Sequence, residues 1–232
     1  MTDGAPKKGH PARTETAVGL LALGAGAMDA LSFVALGQVF TSAMTGNAVL
    51  LGVAIGQGRS AAAARSLAAL LGFVAGVAIA SRPLLRVPRG TWSRGTALGF
   101  TIEAGLLALF VLLLIAMGRA GNVLPFVLIP LAAGGMGAQS VLARHFNLPG
   151  IITTVFTGTL VDIVSTLAGL DSRPGETGLI PYRTAREIAA FALYTTGAAV
   201  GGGLTLLGAW VAALVPLAAV LGTLAIRPAY QS

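Results

Sequence analysis

The sequence predicts an all-α integral membrane protein, and three observations carry that prediction: composition, the spacing of apolar segments, and a duplicated polar pattern inside them. Hydrophobic residues make up 55% of the 232 and charged residues only 10%, with a mean hydropathy of +0.84. A soluble domain carries about 25% charged residues. Apolar stretches near the length needed to cross about 30 Å of hydrocarbon recur along the chain. They fall at about 17–36, 62–81, 96–117, 123–143, 185–204 and 207–226, which gives six expected crossings.

The elements follow in order. Residues 1–16 are polar and basic and form an expected cytoplasmic tail. The apolar run behind them has no small-residue cleavage site, so it reads as an uncleaved first helix. Residues 17–226 form one membrane domain and 227–232 a second cytoplasmic tail. With no cysteine in the chain, disulfides, thiolate metal sites and cysteine nucleophiles are excluded.

Between the first and second crossings lies 39–57, containing TSAMTGNAVL, and between the fourth and fifth lies 150–170, containing TTVFTGTLVD. Each puts a Thr-Gly pair and several hydroxyls where a membrane helix is normally apolar. Secondary transporters use interruptions of this kind at their substrate sites, where half-helix ends expose backbone groups near the bilayer midplane. Whether these two segments cross decides the topology. Lys and Arg concentrate on the cytoplasmic side of membrane proteins. With eight crossings the Lys and Arg residues divide ten inside to five outside, and with both Thr-Gly segments returning to the face they entered the division is twelve to three. The second arrangement is preferred.

The repeat extends further. AGAMDALS at 25–32 aligns with AGGMGAQS at 133–140, Ala64-Arg65 with Ala185-Arg186, and Gly76 with Gly197. The chain therefore reads as two related units, about 17–117 and 123–226. With six crossings each unit contains three, so the units are inverted relative to one another. The alternative of eight crossings makes them parallel.

The stretch GAMDALSFVALGQVFTSAMTGNAVLLGVAIGQG resembles the signature region of the YoaK-like bacterial membrane proteins, a family labelled as a domain of unknown function. Asp29, Ser32, Phe33, Phe40, Met44, Thr45, Gly46 and Asn47 carry the resemblance most specifically. It implies a small multi-pass protein of the bacterial cytoplasmic membrane and implies no substrate. One position departs between the halves of this chain: the second unit has Gly137 where the first has Asp29.

Ionisable groups within a membrane cost at least about 2.5–3.5 kcal/mol at mid-helix, so each is a functional candidate. Asp29, Glu103 and Asp162 qualify as carriers of a coupling proton or cation. Asp29 has a structural alternative, as a carboxylate accepting hydrogen bonds from a neighbouring helix or a broken-helix N-terminus. For Glu103 the alternative is a side chain that snorkels to the interface and pairs with Arg94. Ser42, Thr45, Gly46, Asn47, Thr153, Thr154, Thr157, Gly158 and Thr159 form the expected binding constellation. A helix broken at Gly46 and Gly158 would offer free N–H groups to a small polar or anionic solute.

Gly52–Gly56, Gly72–Gly76 and Gly197–Gly201 have the spacing of close helix packing or dimer contacts. Pro125 and Pro130 are placed to kink the fourth crossing, and Trp92, Tyr182 and Tyr230 to anchor at the interfaces. The basic run Arg82–Arg94 and the net charge of +7 suit orientation and anionic lipid rather than nucleic acid. The histidines, His10 and His145, stand in no metal-binding motif, and no phosphate-binding glycine loop is present. The expectation is a non-enzymatic small-solute transporter or channel without cofactor or metal, with a membrane scaffold as the alternative. Six crossings enclose only a narrow path, which leaves a homodimer open.

Overall fold

The structure, a computed structural model, describes residues 11–117, 124–146, 156–168, 170 and 181–226. These residues form eight α-helices: α1 (Pro11–Ala35), α2 (Met44–Gly56), α3 (Ser60–Ser81), α4 (Arg94–Met117), α5 (Leu124–His145), α6 (Phe156–Leu167), α7 (Tyr182–Leu204) and α8 (Ala209–Ile226). A 3-10 turn, Arg82–Leu84, follows α3, and the described residues contain no strand. The protein is an all-α polytopic membrane protein. Five helices are long and apolar enough to cross a bilayer, within α1, α3, α4, α5 and α8. The sixth expected crossing, α7, is 23 residues long, but its charged first turns and its threonines and glycines lower its hydropathy. Large apolar side chains such as Leu71, Val74, Leu112, Ile115 and Leu221 point outward, as lipid contact requires.

Helix ends fall close to the sequence-based limits, with two differences. The first helix begins at Pro11, inside the expected tail, because nothing from Pro11 to Thr16 opposes the helical conformation once the apolar turns behind have formed. The chain breaks before α2 rather than at Gly46, which lies inside the first turn of α2. The physical reason lies upstream. Gly37 takes φ +96° and Gln38 φ 63°, while the Gln38 N–H donates to the Phe33 carbonyl at 3.1 Å. Such a left-handed end terminates a helix and favours glycine.

Central packing depends on missing Cβ atoms. A Cβ on Gly76 would lie 1.9 Å from the Gly134 carbonyl oxygen, and one on Gly72 2.5 Å from the Pro130 Cα. Likewise, Cβ atoms on Gly197 and Gly26 would lie 2.0 Å from the Leu23 oxygen and 1.9 Å from the Tyr194 oxygen. The pairs α3–α5 and α1–α7 therefore meet backbone to backbone, as small-xxx-small stripes permit. Among the described residues Gly52 and Gly56 have nothing within 4 Å of an added Cβ, so no packing role for them is seen there.

These contacts fix helix directions. Gly72 and Gly76 meet Pro130 and Gly134, and Gly197 and Gly201 meet Leu23 and Ala27; numbers rise together, so both pairs are parallel. Leu20 meets Gly222 while Gly24 meets Pro216 and Ala219, and Gly99 meets Leu142 while Gly135 meets Leu107. Hence α1–α8 and α4–α5 are antiparallel.

Two hydrogen bonds then tie the pairs together. Arg65 Nε donates to the Gly37 oxygen at 3.3 Å, and Gln139 Nε2 donates to the Leu21 oxygen at 3.0 Å. Gln139 lies as far beyond Gly134 as Ser81 does beyond Gly76, so it is level with Ser81 on α3. Arg65 to Ser81 and Gly37 to Leu21 are each about 24 Å at 1.5 Å per residue. Because the two ladders match in opposite senses, α1 runs antiparallel to α3 and α5.

Candidate functional site

The first Thr-Gly segment is organised around Asp29. Its carboxylate is 2% exposed and accepts five hydrogen bonds. The Thr41 and Ser42 N–H groups donate to Oδ1 at 2.7 and 2.8 Å, joined by Thr41 Oγ1 at 3.0 Å. Ser42 Oγ and the Tyr194 hydroxyl, at 2.6 Å, donate to Oδ2. One side chain thus joins α1, the non-helical lead into α2, and α7. This is the structural alternative anticipated for Asp29: the protein's own carboxylate occupies the anion position where the break before α2 exposes N–H groups.

Asn47 makes a second clamp. Its Oδ1 accepts from the Phe40 N–H at 2.9 Å and its Nδ2 donates to the Phe40 oxygen at 2.6 Å. The Phe40 ring covers Gly46, where a Cβ would come within 3.0 Å of it, and stacks on Phe33 at 5.3 Å. Ser42 and Asn47 are therefore buried and engaged with the chain, whereas Thr45 is exposed on the outer face of α2.

In the second segment, Thr153 and Thr154 lie outside the described residues, and Thr157 is helical. Gly158 is exposed and Thr159 buried on α6. As in the first segment, the glycine falls inside the helix rather than at its break. Asp162 is half exposed and pairs with Arg183 at 3.2 Å. Arg183 also holds Glu187 through Nε–Oε1 at 2.9 Å. Thus Asp162 belongs to a short acid–base–acid chain between α6 and α7 and is separate from the Asp29 cluster.

Glu103 stands apart from both. It is 0% exposed, and neither carboxyl oxygen has a hydrogen-bond partner among the described residues. The snorkelling alternative, with Arg94 as partner, is not what the side chain does: it is buried in the bundle, at a level where the Glu103 backbone oxygen lies 4.0 Å from the place of a Cβ on Gly135 of α5. The antiparallel register of α4 and α5 puts Gln139 at the same level.

Sequence reasoning missed Thr41, Tyr194, Gln139 and Glu187. Tyr194 carried a signal, since a phenol in the middle of an apolar helix needs a partner for its hydroxyl. Glu187 carried one too, lying four residues after Arg183 within a predicted crossing.

The geometry defines a multi-pass α-helical membrane protein in which a helix break is secured by a buried carboxylate. The chain belongs to the DUF1275 family, described as proteins of unknown function, whose model matches residues 17–226. It is 38% identical over 154 residues to the UPF0700 transmembrane protein YoaK of Bacillus subtilis (strain 168), covering 66% of this chain and 67% of that protein. No solved structure matches the chain.

Proposed function

We propose that the protein is a small-solute transporter or channel of the bacterial cytoplasmic membrane, built from two inverted units of three crossings and one half-helix each. One observation carries the reading. The first turn of α2 lies beside Asp29, about 12 Å along α1 from Gly37, and α3 begins again at the Gly37 level through Arg65. The stretch 36–43 enters the bundle to the level of Asp29, and α2, at 13 residues or about 20 Å, returns to the same side. Mapping α1–α4 onto α5–α8 interchanges the main interfaces: α1–α7 with α5–α3, α1–α8 with α5–α4, and α2–α3 with α6–α7. That interchange supports the inverted repeat, and the twelve-to-three charge division supports cytoplasmic termini.

In this reading the solute passes between the two half-helices, near Ser42, Asn47 and Thr159, and Glu103 carries the coupling proton. An unpaired buried carboxylate is costly, and a proton removes that cost. Asp29 has the different task of holding the outer half-helix until the pathway opens.

The test uses the cysteine-free background, with single substitutions Met44→Cys and Thr159→Cys at the buried half-helix positions and Gln57→Cys as an exposed control. Labelling of the first from outside and the second from inside sealed vesicles supports the pathway. If Gln57→Cys labels and neither buried position does from either face, transport gives way to a membrane scaffold. That second reading is favoured by the internal pairing of Asp29, Ser42 and Asn47, which leaves these groups engaged without any ligand.

A further inference from the structure

At the end of the bundle where α3 and α5 finish, a cleft of about 170 Å³ is lined by Ser81, Leu84, Arg89, Arg144 and His145 among others. His145 is 7% exposed. Backbone groups of Thr91 and Pro88 hydrogen-bond its ring, and the Gly90 N–H donates to its carbonyl oxygen at 3.0 Å. The 82–91 turn therefore fixes the imidazole, yet among the described residues the buried Nε2 has no partner. Native structures rarely leave such an atom unpaired. Among the described residues neither Arg89 nor Arg144 forms an ion pair, and Arg82 and Arg86 on the same turn add positive charge.

We propose that this cleft binds a phosphate group. Helix C-termini attract cations, so Arg144 and His145 in the last turn of α5 are in place before any ligand arrives. What the helix ends do not explain is a second guanidinium, at Arg89, on the cleft that the fixed imidazole also lines, with its Nε2 unpartnered among the described residues. Two guanidinium forks match the oxygens of a phosphate. A phosphate oxygen satisfies Nε2 in either form of the ring, donating to the neutral imidazole when protonated and accepting from the imidazolium when not. Position narrows the source to two. The cleft lies at helix ends beside Trp92, at the level of lipid headgroups, and is also open to the aqueous side. An anionic lipid headgroup and free inorganic phosphate share the required chemistry.

Trp92 supplies the readout. Its ring lies 4.7 Å from Phe146, which meets His145 edge-on at 5.3 Å. In a Trp210→Phe background Trp92 is the sole tryptophan of the two in the chain. The protein in phosphatidylcholine nanodiscs is titrated with inorganic phosphate, and separately reconstituted with rising phosphatidic acid or phosphatidylglycerol.

A saturable change in Trp92 emission is expected in at least one arm. Its half-saturation point should move about tenfold in Arg89→Gln and in Arg144→Gln, and about threefold in His145→Gln. Response to inorganic phosphate assigns a soluble ligand, and response to anionic lipid alone assigns a headgroup; either supports the site. No saturable change in either arm overturns it, as does a change that both arginine substitutions leave in place. Arg89 is exposed on the turn, so Arg89→Gln keeps the test decisive if the other variants do not fold.

Discussion

Removing the Tyr194 hydroxyl tests whether Asp29 holds α2 against the bundle. Tyr194→Phe deletes the 2.6 Å hydrogen bond to a buried carboxylate together with the hydroxyl's contact with Ser42, and leaves the ring in place. Neutral interhelical hydrogen bonds in membranes average about 0.6 kcal/mol and reach about 1.7, while bonds to charged groups are worth about 1.5–3 kcal/mol. With four other donors remaining on the carboxylate, an intermediate loss of about 1.5 kcal/mol is expected. Asp29→Ala is more severe, because it strands the buried Thr41 and Ser42 N–H groups at about 1–3 kcal/mol each. A loss of about 3–5 kcal/mol follows, a large part of a typical stability of about 5–15 kcal/mol. Reversible unfolding of the purified protein in detergent, run as a double-mutant cycle, should then give a coupling energy near the single Tyr194 loss. An equal Tyr194→Phe effect with and without Asp29 would refute the reasoning, since the hydroxyl would then act through something other than the carboxylate.

Other expectations follow from the same contacts. Gly76→Ala should cost about 1–3 kcal/mol by overpacking, because its Cβ would meet the backbone of α5 at 1.9 Å. Gly52→Ala, with nothing within 4 Å, should gain up to about 1 kcal/mol of helix propensity; the same unfolding assay compares them. Asn47→Ala should cost about 1–3 kcal/mol by unpairing the backbone of Phe40, and protease cleavage near residue 40 should rise with it. Gly37→Ala should destabilise by about 1–2 kcal/mol in the unfolding assay, since φ +96° is left-handed, and Gly58→Ala on the next turn, which has no Arg65 beside it, gives the strain cost alone.

Much of this architecture was legible because hydrophobic length and charge placement are one-dimensional signals. All six expected crossings coincide with helices of 18 residues or more, and the two Thr-Gly segments contain helices of 13 and 12 residues. The break before α2 was misplaced because it depends on left-handed backbone at Gly37 and Gln38, and Gly37 is one of 32 glycines. Side-chain partners were less legible still. Asp29 was identifiable as a costly charge, but its partner Tyr194 lies 165 residues away, and only the α1–α7 contact brings them together. Glu103 was read as able to snorkel because its distance from the helix end allows it; which face of α4 packs on α5 is decided by Gly99 and Gly135, a three-dimensional matter.

The asymmetry of the two halves bears on the proposed mechanism. Under the aligned octapeptides Asp29 corresponds to Gly137, and under the Gly76–Gly197 correspondence Tyr194 corresponds to Phe73. Where α1 meets α7 a carboxylate and a phenol bond to each other; where α5 meets α3 the matching residues have neither group, and a Cβ on Gly137 would lie 2.2 Å from the Phe73 oxygen. Both members of the pair differ together, so the hydrogen bond that secures the lead into α2 has no counterpart where α5 meets α3. A symmetric pair of gates would need both. If α2 and α6 alternate in opening, Tyr194→Phe should therefore raise labelling of Met44→Cys from outside without raising labelling of Thr159→Cys from inside. Equal rises at both positions would mean that Asp29 stabilises the bundle as a whole, and its role as the lock of one face would have to be abandoned.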